Sequence, residues 1–352
     1  MSQRLRPLRG NNIRVLVVDD SALVRKMLTS KLEQERGIEV VGTAVDPFAA
    51  RTKILSLKPD VVTLDIEMPR MDGLTFLGKL MAHHPIPVVI LSSLAQRNSE
   101  AAARALVLGA VGVVAKPQSR TSVEGCIAEL VAAIRAAAIA RVTARKPVKV
   151  EKIASGGLRT THQVVAIGAS TGGPAAIERV LSSFPADSPG ILICQHMPAG
   201  FTRSFAERLD EQVPFSVKEA ADGAPVVPGA ALIAPGGHHM ELVRDGASYR
   251  TKLTAAAKEH SQRPAVDPLF RSVARHAGSN AVGVLLTGMG KDGATGLLAM
   301  KNAGAHTIAE AEGTCVVFGM PREAISMNAA VEIRPLSRVA TSVFHALQKK
   351  AA

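Results

Sequence analysis

Ile13-Arg14-Val15-Leu16-Val17-Val18-Asp19-Asp20-Ser21 is the stretch on which the fold turns. Apart from Arg14 its first six residues form an aliphatic run, as suits a strand buried on both faces of a parallel sheet. Two acids then end the run. Working outward, similar runs recur at Val61 to Leu64, Val88 to Leu91 and Val111 to Val114. Helix-like stretches lie between them: Ala22 to Glu33, Leu74 to Ala82 and Glu100 to Leu108. Strand–helix alternation of this kind predicts an α/β doubly wound domain. From Arg141 to Gly157 the pattern breaks into Lys, Arg, Pro, Ser and Gly, the composition of an interdomain linker, part of which extends the preceding Ala-rich helix. Alternation resumes at Gln163 to Ile167, Ile191 to Cys194, Ala231 to Ala234 and Ala281 to Leu286. The expected organisation is a basic tail over 1–10, a first domain over 11–134, a basic linker over 135–160 and a second domain over 161–348. No repeat of solenoid period interrupts it.

With 352 residues, 47% of them apolar, the chain can bury two cores. No run of about 18 apolar residues predicts a membrane span. Residues 1–10 lack the apolar middle of a secretory signal, so a cytoplasmic protein is expected. Cys126, Cys194 and Cys315 are widely spaced, which suits small core residues in a reducing compartment and offers no metal-ligand spacing. The net charge of +12 raises nucleic acid as a partner. Much of the excess is local, at Arg4, Arg6 and Arg9 and around Arg135 to Arg159, and reads more simply as a solvated tail and linker. One Tyr and no Trp leave no stacking platforms for single strands. A phosphorylation-controlled DNA-binding regulator is the competing class. The long, Gly-rich α/β pattern of the second half opposes a compact helix-turn-helix.

The first half gathers acids at strand ends. Asp19 and Asp20 follow the first run, Asp65 follows the second, and Lys116 follows the fourth. In an open parallel sheet, functional residues collect at the carboxyl ends of strands. Three acids there repel one another unless a cation intervenes, and hard oxygen ligands suit Mg²⁺. A carboxylate can also accept a phosphoryl group, whose charge Lys116 would offset. The structural alternative is that Asp19 and Asp20 merely cap the next helix.

In the second half, the run ending at Ile167 leads into Gly168-Ala169-Ser170-Thr171-Gly172-Gly173-Pro174, a G-x-S-x-G turn that exposes a hydroxyl. Serine needs a base. His196 lies just after another strand, and Asp292 lies in the loop Leu286 to Ala294 after a third. The order Ser, His, Asp differs from that of α/β-hydrolases, but convergence at one sheet edge would let Ser170 attack, His196 carry the proton and Asp292 hold the imidazole. Each residue also has a structural reading: Ser170 as a loop residue, His196 as a packing histidine, Asp292 as a helix cap. Gly288 to Gly293 spells a dinucleotide fingerprint with Glu310 or Glu312 as the ribose acid, though Asp292 within it would repel a pyrophosphate. His238 and His239 are adjacent, need not converge on a metal, and read as loop residues.

The segments VLVVDDS, LDIEMPRMDGL, VVILSS and AKP make Asn11 to about Ile134 resemble a response-regulator receiver domain. The resemblance implies phosphorylation of Asp65 and Mg²⁺ bound by Asp19, Asp20 and Asp65 with the Glu67 backbone carbonyl. It further implies Ser92 as the hydroxyl switch, Lys116 touching the phosphoryl group and a cis bond before Pro117. Val113 stands where receivers often carry an aromatic switch residue. The segments IGASTGGP, QHMPAGFT, APGGHHMEL, RPAVDPLF and LLTGMGKDGA make Gln163 to Gln348 resemble the catalytic domain of protein-glutamate methylesterases, the CheB family. That resemblance implies a triad of Ser170, His196 and Asp292, with Thr171 and Met289 amides at the oxyanion region and no cofactor for the ester reaction. It implies hydrolysis of glutamate methyl esters on chemoreceptors with release of methanol, together with deamidation of receptor glutamines. Expected partners are methyl-accepting chemoreceptors and a chemotaxis histidine kinase, without nucleic acid or membrane insertion. A pseudo-enzyme that binds receptors without turnover is the remaining alternative, against which the intact Ser, His and Asp argue.

Overall fold

A computed structural model of the chain describes residues 12–68, 71–93, 96–116, 123–143, 153 and 162–351. The chain divides into two compact units between Pro147 and Val148. The expected tail, Pro117 and most of the expected linker lie outside the described residues.

The first unit runs β1 (Ile13–Val18), α1 (Ala22–Leu32), β2 (Ile38–Ala44), α2 (Pro47–Leu57), β3 (Val61–Asp65), α3 (Gly73–His83), β4 (Val88–Ser92), α4 (Gln96–Leu108), β5 (Gly112–Ala115) and α5 (Val123–Ala138). The sheet is wholly parallel in the order β2-β1-β3-β4-β5. Because strand side chains alternate between faces, Val15, Val17, Val61, Val89 and Leu91 pack with Leu28 and Leu32 of α1 and with Ile127, Leu130 and Ile134 of α5. Leu16, Val18, Val62, Leu64, Val88 and Ile90 are buried on the opposite face. Each such side chain contributes about 1.5–3 kcal/mol relative to exposure. The sequence reading passed over β2 and α2. The edge strand β2 is mostly half-buried, which blurs its apolar signal. Helix α5 reaches four residues past the expected domain end, as the Ala-rich composition allowed.

The second unit contains β6 (Val164–Ala169), α6 (Gly173–Leu181), β7 (Gly190–Gln195), α7 (Phe201–Asp210), β8 (Ser216–Glu219), β9 (Pro225–Val226), β10 (Ala230–Ile233), β11 (His239–Asp245), β12 (Ser248–Thr254) and α8 (Val266–His276). It continues through β13 (Ala281–Leu285), α9 (Ala294–Asn302), β14 (His306–Glu310), α10 (Met320–Ser326), β15 (Glu332–Arg334) and α11 (Leu336–Ala351). Seven strands pair in parallel in the order β15-β14-β13-β6-β7-β10-β8. One face buries Val164, Ala166 and Leu192 against Leu269, Phe270 and Val273 of α8 and Leu297 and Met300 of α9. Elsewhere Phe184 meets Phe344 of α11 edge to face, ring centres 4.9 Å apart. A small antiparallel sheet in the order β11-β12-β9, absent from the sequence reading, buries Met240, Leu242 and Tyr249 in the same core as α8. This unit is a doubly wound α/β domain, not a small helical DNA reader. Among the described residues, no helix is long and apolar enough to cross a membrane.

Candidate active and phosphoryl sites

In the first sheet the chain leaves β1 in opposite directions toward β2 and β3, so a crevice opens beyond their carboxyl ends. Asp19 follows β1, Asp65 closes β3 and Lys116 follows β5. The Lys116 Nζ lies 2.9 Å from Asp19 Oδ2 and 2.8 Å from Asp65 Oδ2. Carboxylate oxygens of Asp19, Asp20 and Asp65 come within 4.8 Å of one another. Burial pushes the Asp65 carboxyl above its ordinary value, against the pull of Lys116 and with a further push from Asp19. For Lys116, burial works against the charge, but its bonds to the two carboxylates outweigh it and hold the ammonium above its ordinary value. Asp19 and Asp20 are not the cap of α1. Ser21 is, its Oγ accepting from Val24 N, while Asp19 Oδ1 accepts from Ser21 N at 2.9 Å.

Among the described residues Lys116 alone forms ion pairs with these three acids. An all-oxygen set with two negative charges in excess, one member exposed to solvent, is the donor chemistry of a hard divalent cation. Glu67, exposed beyond β3, donates its amide to Asp65 Oδ1 at 3.4 Å. Buried Ser92 ends β4, and its carbonyl accepts from Lys116 N at 2.8 Å. Val113 sits half-buried on β5 opposite Ile90.

The second site lies at the strands β13-β6-β7, where the chain's winding direction reverses about β6. Ser170 follows β6 and His196 follows β7, and His196 N donates to Ala169 O at 3.2 Å. The His196 Nδ1 is 3.0 Å from Ser170 Oγ, and its Nε2 is 2.7 Å from Asp292 Oδ2. The carboxylate fixes the tautomer with the proton on Nε2, so the Nδ1 lone pair faces the hydroxyl. The structure thus brings these three residues, 26 and 96 positions apart, into one hydrogen-bonded chain.

Asp292 does not cap its own helix, α9, whose cap is Gly293. Its Oδ2 accepts from Val266 N at 2.7 Å and its Oδ1 from Asp267 N at 2.9 Å, both at the start of α8. Burial alone would raise this carboxyl. The hydrogen bonds from His196 and the two amides outweigh burial and hold it below its ordinary value, so it stays a carboxylate.

Several residues to which the sequence reading gave no part in the triad hold the two loops. Gln195, at the end of β7, donates its Nε2 to Ser170 O and His196 O, both at 3.0 Å. Thr287 accepts from Ser170 N through its carbonyl and donates Oγ1 to Thr171 O at 2.9 Å. Buried Glu310 accepts from Thr287 N at 2.8 Å, so it braces the nucleophile turn and is no ribose acid. Burial raises its carboxyl above the ordinary value. Gly288 brings the Asp292 loop against the nucleophile: a Cβ there would sit 2.8 Å from Ser170 Cβ and would strike Met320 Sδ. Among the described residues, neither Thr171 N nor Met289 N donates to a protein acceptor. His238 is exposed in a loop, whereas His239 opens β11. The loop reading of His239 is thus corrected: it is buried, its Nδ1 accepting from Ala265 N and its Nε2 at 3.0 Å from Ala257 O, because it anchors the segment leading into α8. The three cysteines form no disulfide and are buried, and burial pushes the Cys126 thiol up to about 11.

Comparison with known proteins matches each half of the chain to a family. The family described as CheB methylesterase matches residues 165–343, and that described as response regulator receiver domain matches residues 15–128. A protein-glutamate methylesterase/protein-glutamine glutaminase of Bdellovibrio bacteriovorus is 52% identical over 350 residues, covering 97% of this chain and 99% of the relative. One from Salmonella typhimurium is 54% identical over 333 residues, covering 94% and 95%. The crystal structure of the Thermotoga maritima CheB methylesterase catalytic domain aligns at a TM-score of 0.51 and 39% identity, covering 52% of this chain and 97% of that one.

Proposed function

This chain belongs to the CheB methylesterase family with a response-regulator receiver domain, and we propose that Ser170, His196 and Asp292 perform its hydrolysis while Asp65 takes up its phosphoryl group. The activity is that of a protein-glutamate methylesterase and protein-glutamine glutaminase under phosphorylation control. The observation that carries the residue assignment is the continuous Ser170–His196–Asp292 chain, at 3.0 and 2.7 Å.

Ser170 Oγ attacks the side-chain carbonyl of a glutamate methyl ester or glutamine and gives its proton to His196 Nδ1. The imidazolium so formed keeps its Nε2–H on Asp292, whose carboxylate offsets the new charge. The amides of Thr171 and Met289, without protein acceptors among the described residues, are the donors for the oxyanion. Collapse expels methanol or ammonia, protonated from Nδ1. Water then attacks the glutamyl ester of Ser170 with His196 again as base, and serine is restored. No step calls for a cofactor.

In the receiver, Asp19, Asp20 and Asp65 with the Glu67 backbone carbonyl would hold Mg²⁺, which when bound supplies positive charge to the transferring phosphoryl group. Asp65 Oδ is the acceptor. Lys116, already paired to Asp65, neutralises a phosphoryl oxygen, and Ser92 is the hydroxyl that responds to it. The phosphodonor is a chemotaxis histidine kinase, the substrates are chemoreceptors, and the compartment is the cytoplasm, in keeping with three buried cysteines outside any disulfide.

Methanol release from a methylated chemoreceptor fragment tests the reading. Ser170→Ala should lower it at least about 10³-fold with folding intact. A small phosphodonor with Mg²⁺ should raise it in the wild type and not in Asp65→Ala. Turnover by folded Ser170→Ala near the wild-type rate would remove Ser170 as nucleophile.

A further inference from the structure

One peptide unit of the nucleophile turn is held by its carbonyl and presents its amide. The peptide between Ser170 and Thr171 is trans, so its C=O and N–H point in opposite directions. Ser170 O accepts from Gly173 N at 2.7 Å and from Gln195 Nε2 at 3.0 Å. Thr171 N, on the other side of the same plane, has no protein acceptor among the described residues. The flanking peptides are pinned as well. Ser170 N donates to Thr287 O at 3.0 Å, and Thr171 O accepts from Thr287 Oγ1 at 2.9 Å.

Among the described residues, Gln195 is the one side chain that bonds the Ser170 carbonyl. It ends β7 and is buried. Its Nε2 also donates to His196 O at 3.0 Å. Both neighbours are carbonyls, which only accept, so the NH₂ end of the side-chain amide must face them. Its other end, Oε1, is buried and has no donor among the described residues. A Cβ on Gly173 would come 2.0 Å from that oxygen. An unsatisfied buried acceptor costs stability, which points to a role for the amide's donors beyond packing. A hydrogen bond to a carbonyl also polarises its peptide and strengthens the N–H at the other end.

We propose that Gln195 is a positioning residue of the hydrolysis: by holding Ser170 O it fixes the plane of the Ser170–Thr171 peptide and so aims Thr171 N at the oxygen that becomes the oxyanion. The proposal rests on the assignment of Ser170 as nucleophile and Thr171 N as an oxyanion donor. Gly173 N cannot do this alone, because it belongs to the same turn and moves with it. Gln195 stands on the neighbouring strand and refers the peptide plane to the sheet. The oxyanion forms before the leaving group departs, so ester and amide substrates depend on Gln195 alike.

The test uses the full chain with a methylated chemoreceptor fragment and its glutamine form, for wild type, Gln195→Met, Gln195→Glu and Ser170→Ala. Methionine keeps the length and loses both donors. Glutamate keeps the volume and turns an acceptor toward two carbonyls. In Gln195→Met, kcat should fall about 10²-fold for methanol and ammonia release alike, with KM within a few-fold. Gln195→Glu should fall at least as far. The second readout is the Thr171 amide proton in protein labelled with ¹⁵N-threonine, before and after Ser170 reacts with a fluorophosphonate. The serine oxygen displaces fluoride from phosphorus, His196 takes the serine proton, and the phosphonyl oxygen occupies the oxyanion's place. The Thr171 proton should move downfield in wild type, and that movement should be lost in Gln195→Met. A folded Gln195→Met enzyme with kcat within about threefold of wild type would overturn the proposal. So would a wild-type Thr171 proton that does not move, or a loss of kcat in the variant with the movement intact, which would leave Gln195 acting through His196 or the fold alone. Should methionine unfold the domain, Gln195→Glu is read by the same criteria. Release that persists in folded Ser170→Ala removes the triad assignment and this proposal with it, whereas serine-dependent release indifferent to Gln195 removes this proposal alone.

Discussion

Asp292→Asn tests the electrostatic half of the relay with almost no change in volume. The carboxylate receives His196 Nε2–H and Val266 N on Oδ2 and Asp267 N on Oδ1. Asparagine has one acceptor oxygen, so its NH₂ must face either His196 or a backbone N–H. The charge on Asp292 supports an imidazolium whose centre lies about 4 Å away, worth about 4 kcal/mol at an effective dielectric near 20. That is about 10³-fold in kcat. Should the NH₂ turn to His196, the tautomer inverts, Nδ1 carries the proton, and the loss grows toward about 10⁴-fold. Because Asp292 is buried behind His196, KM should stay within a few-fold. Unsatisfied donors at the start of α8 should cost about 1–3 kcal/mol, read as a lower Tm. The sign with pH follows from the depressed carboxyl. Its stabilisation is intact above the ordinary value of 3.8 and is lost as pH falls through the folded value, so the gap between variant and wild type narrows in strong acid. Methanol release and thermal unfolding on one preparation decide the matter. A folded Asp292→Asn enzyme retaining more than about a tenth of wild-type kcat would refute the reasoning.

Other consequences follow from the same loops. Gly288→Ala forces a Cβ against Ser170 Cβ and Met320 Sδ, and displacement of the nucleophile should lower kcat about 10²-fold, measured beside a circular dichroism melt. Glu310→Gln keeps an acceptor for Thr287 N but removes a carboxyl that burial holds above its ordinary value of 4.5. The folded wild type binds that proton more tightly than the unfolded chain, so wild-type stability falls as pH rises above 4.5. The variant should melt higher than wild type by a margin that widens with pH, and a margin constant with pH would refute a titrating Glu310.

The two parallel sheets and the two candidate sites were legible because their signals are local. A parallel strand buried on two faces writes itself as an aliphatic run, and a functional residue at its carboxyl end is the next polar letter. Asp19 after Val18, Asp65 after Leu64 and Ser170 after Ala169 follow this rule, and His196 comes one polar residue later, after Gln195. The rule fades where burial is partial. Strand β2 is half-exposed at the sheet edge, and β11 and β12 alternate in a small antiparallel sheet, so no unbroken run marks them.

The supports of the site were illegible for a different reason. Asp267 lies in a helix's first turn, where a carboxylate reads as serving its own helix. Its partners are the first donors of another helix, 28 and 29 residues on. Asp292 shows the converse: it precedes α9 yet serves α8, 25 and 26 residues back. A sequence gives each carboxylate its place along the chain but not which of two nearby helix ends its oxygens meet. The crossing matters to catalysis, since the amides that depress the Asp292 carboxyl come from the helix that Asp267 ties to α9. Movement of α8 relative to α9 would loosen both carboxylates together, so the charge behind His196 depends on helix packing as much as on the triad itself.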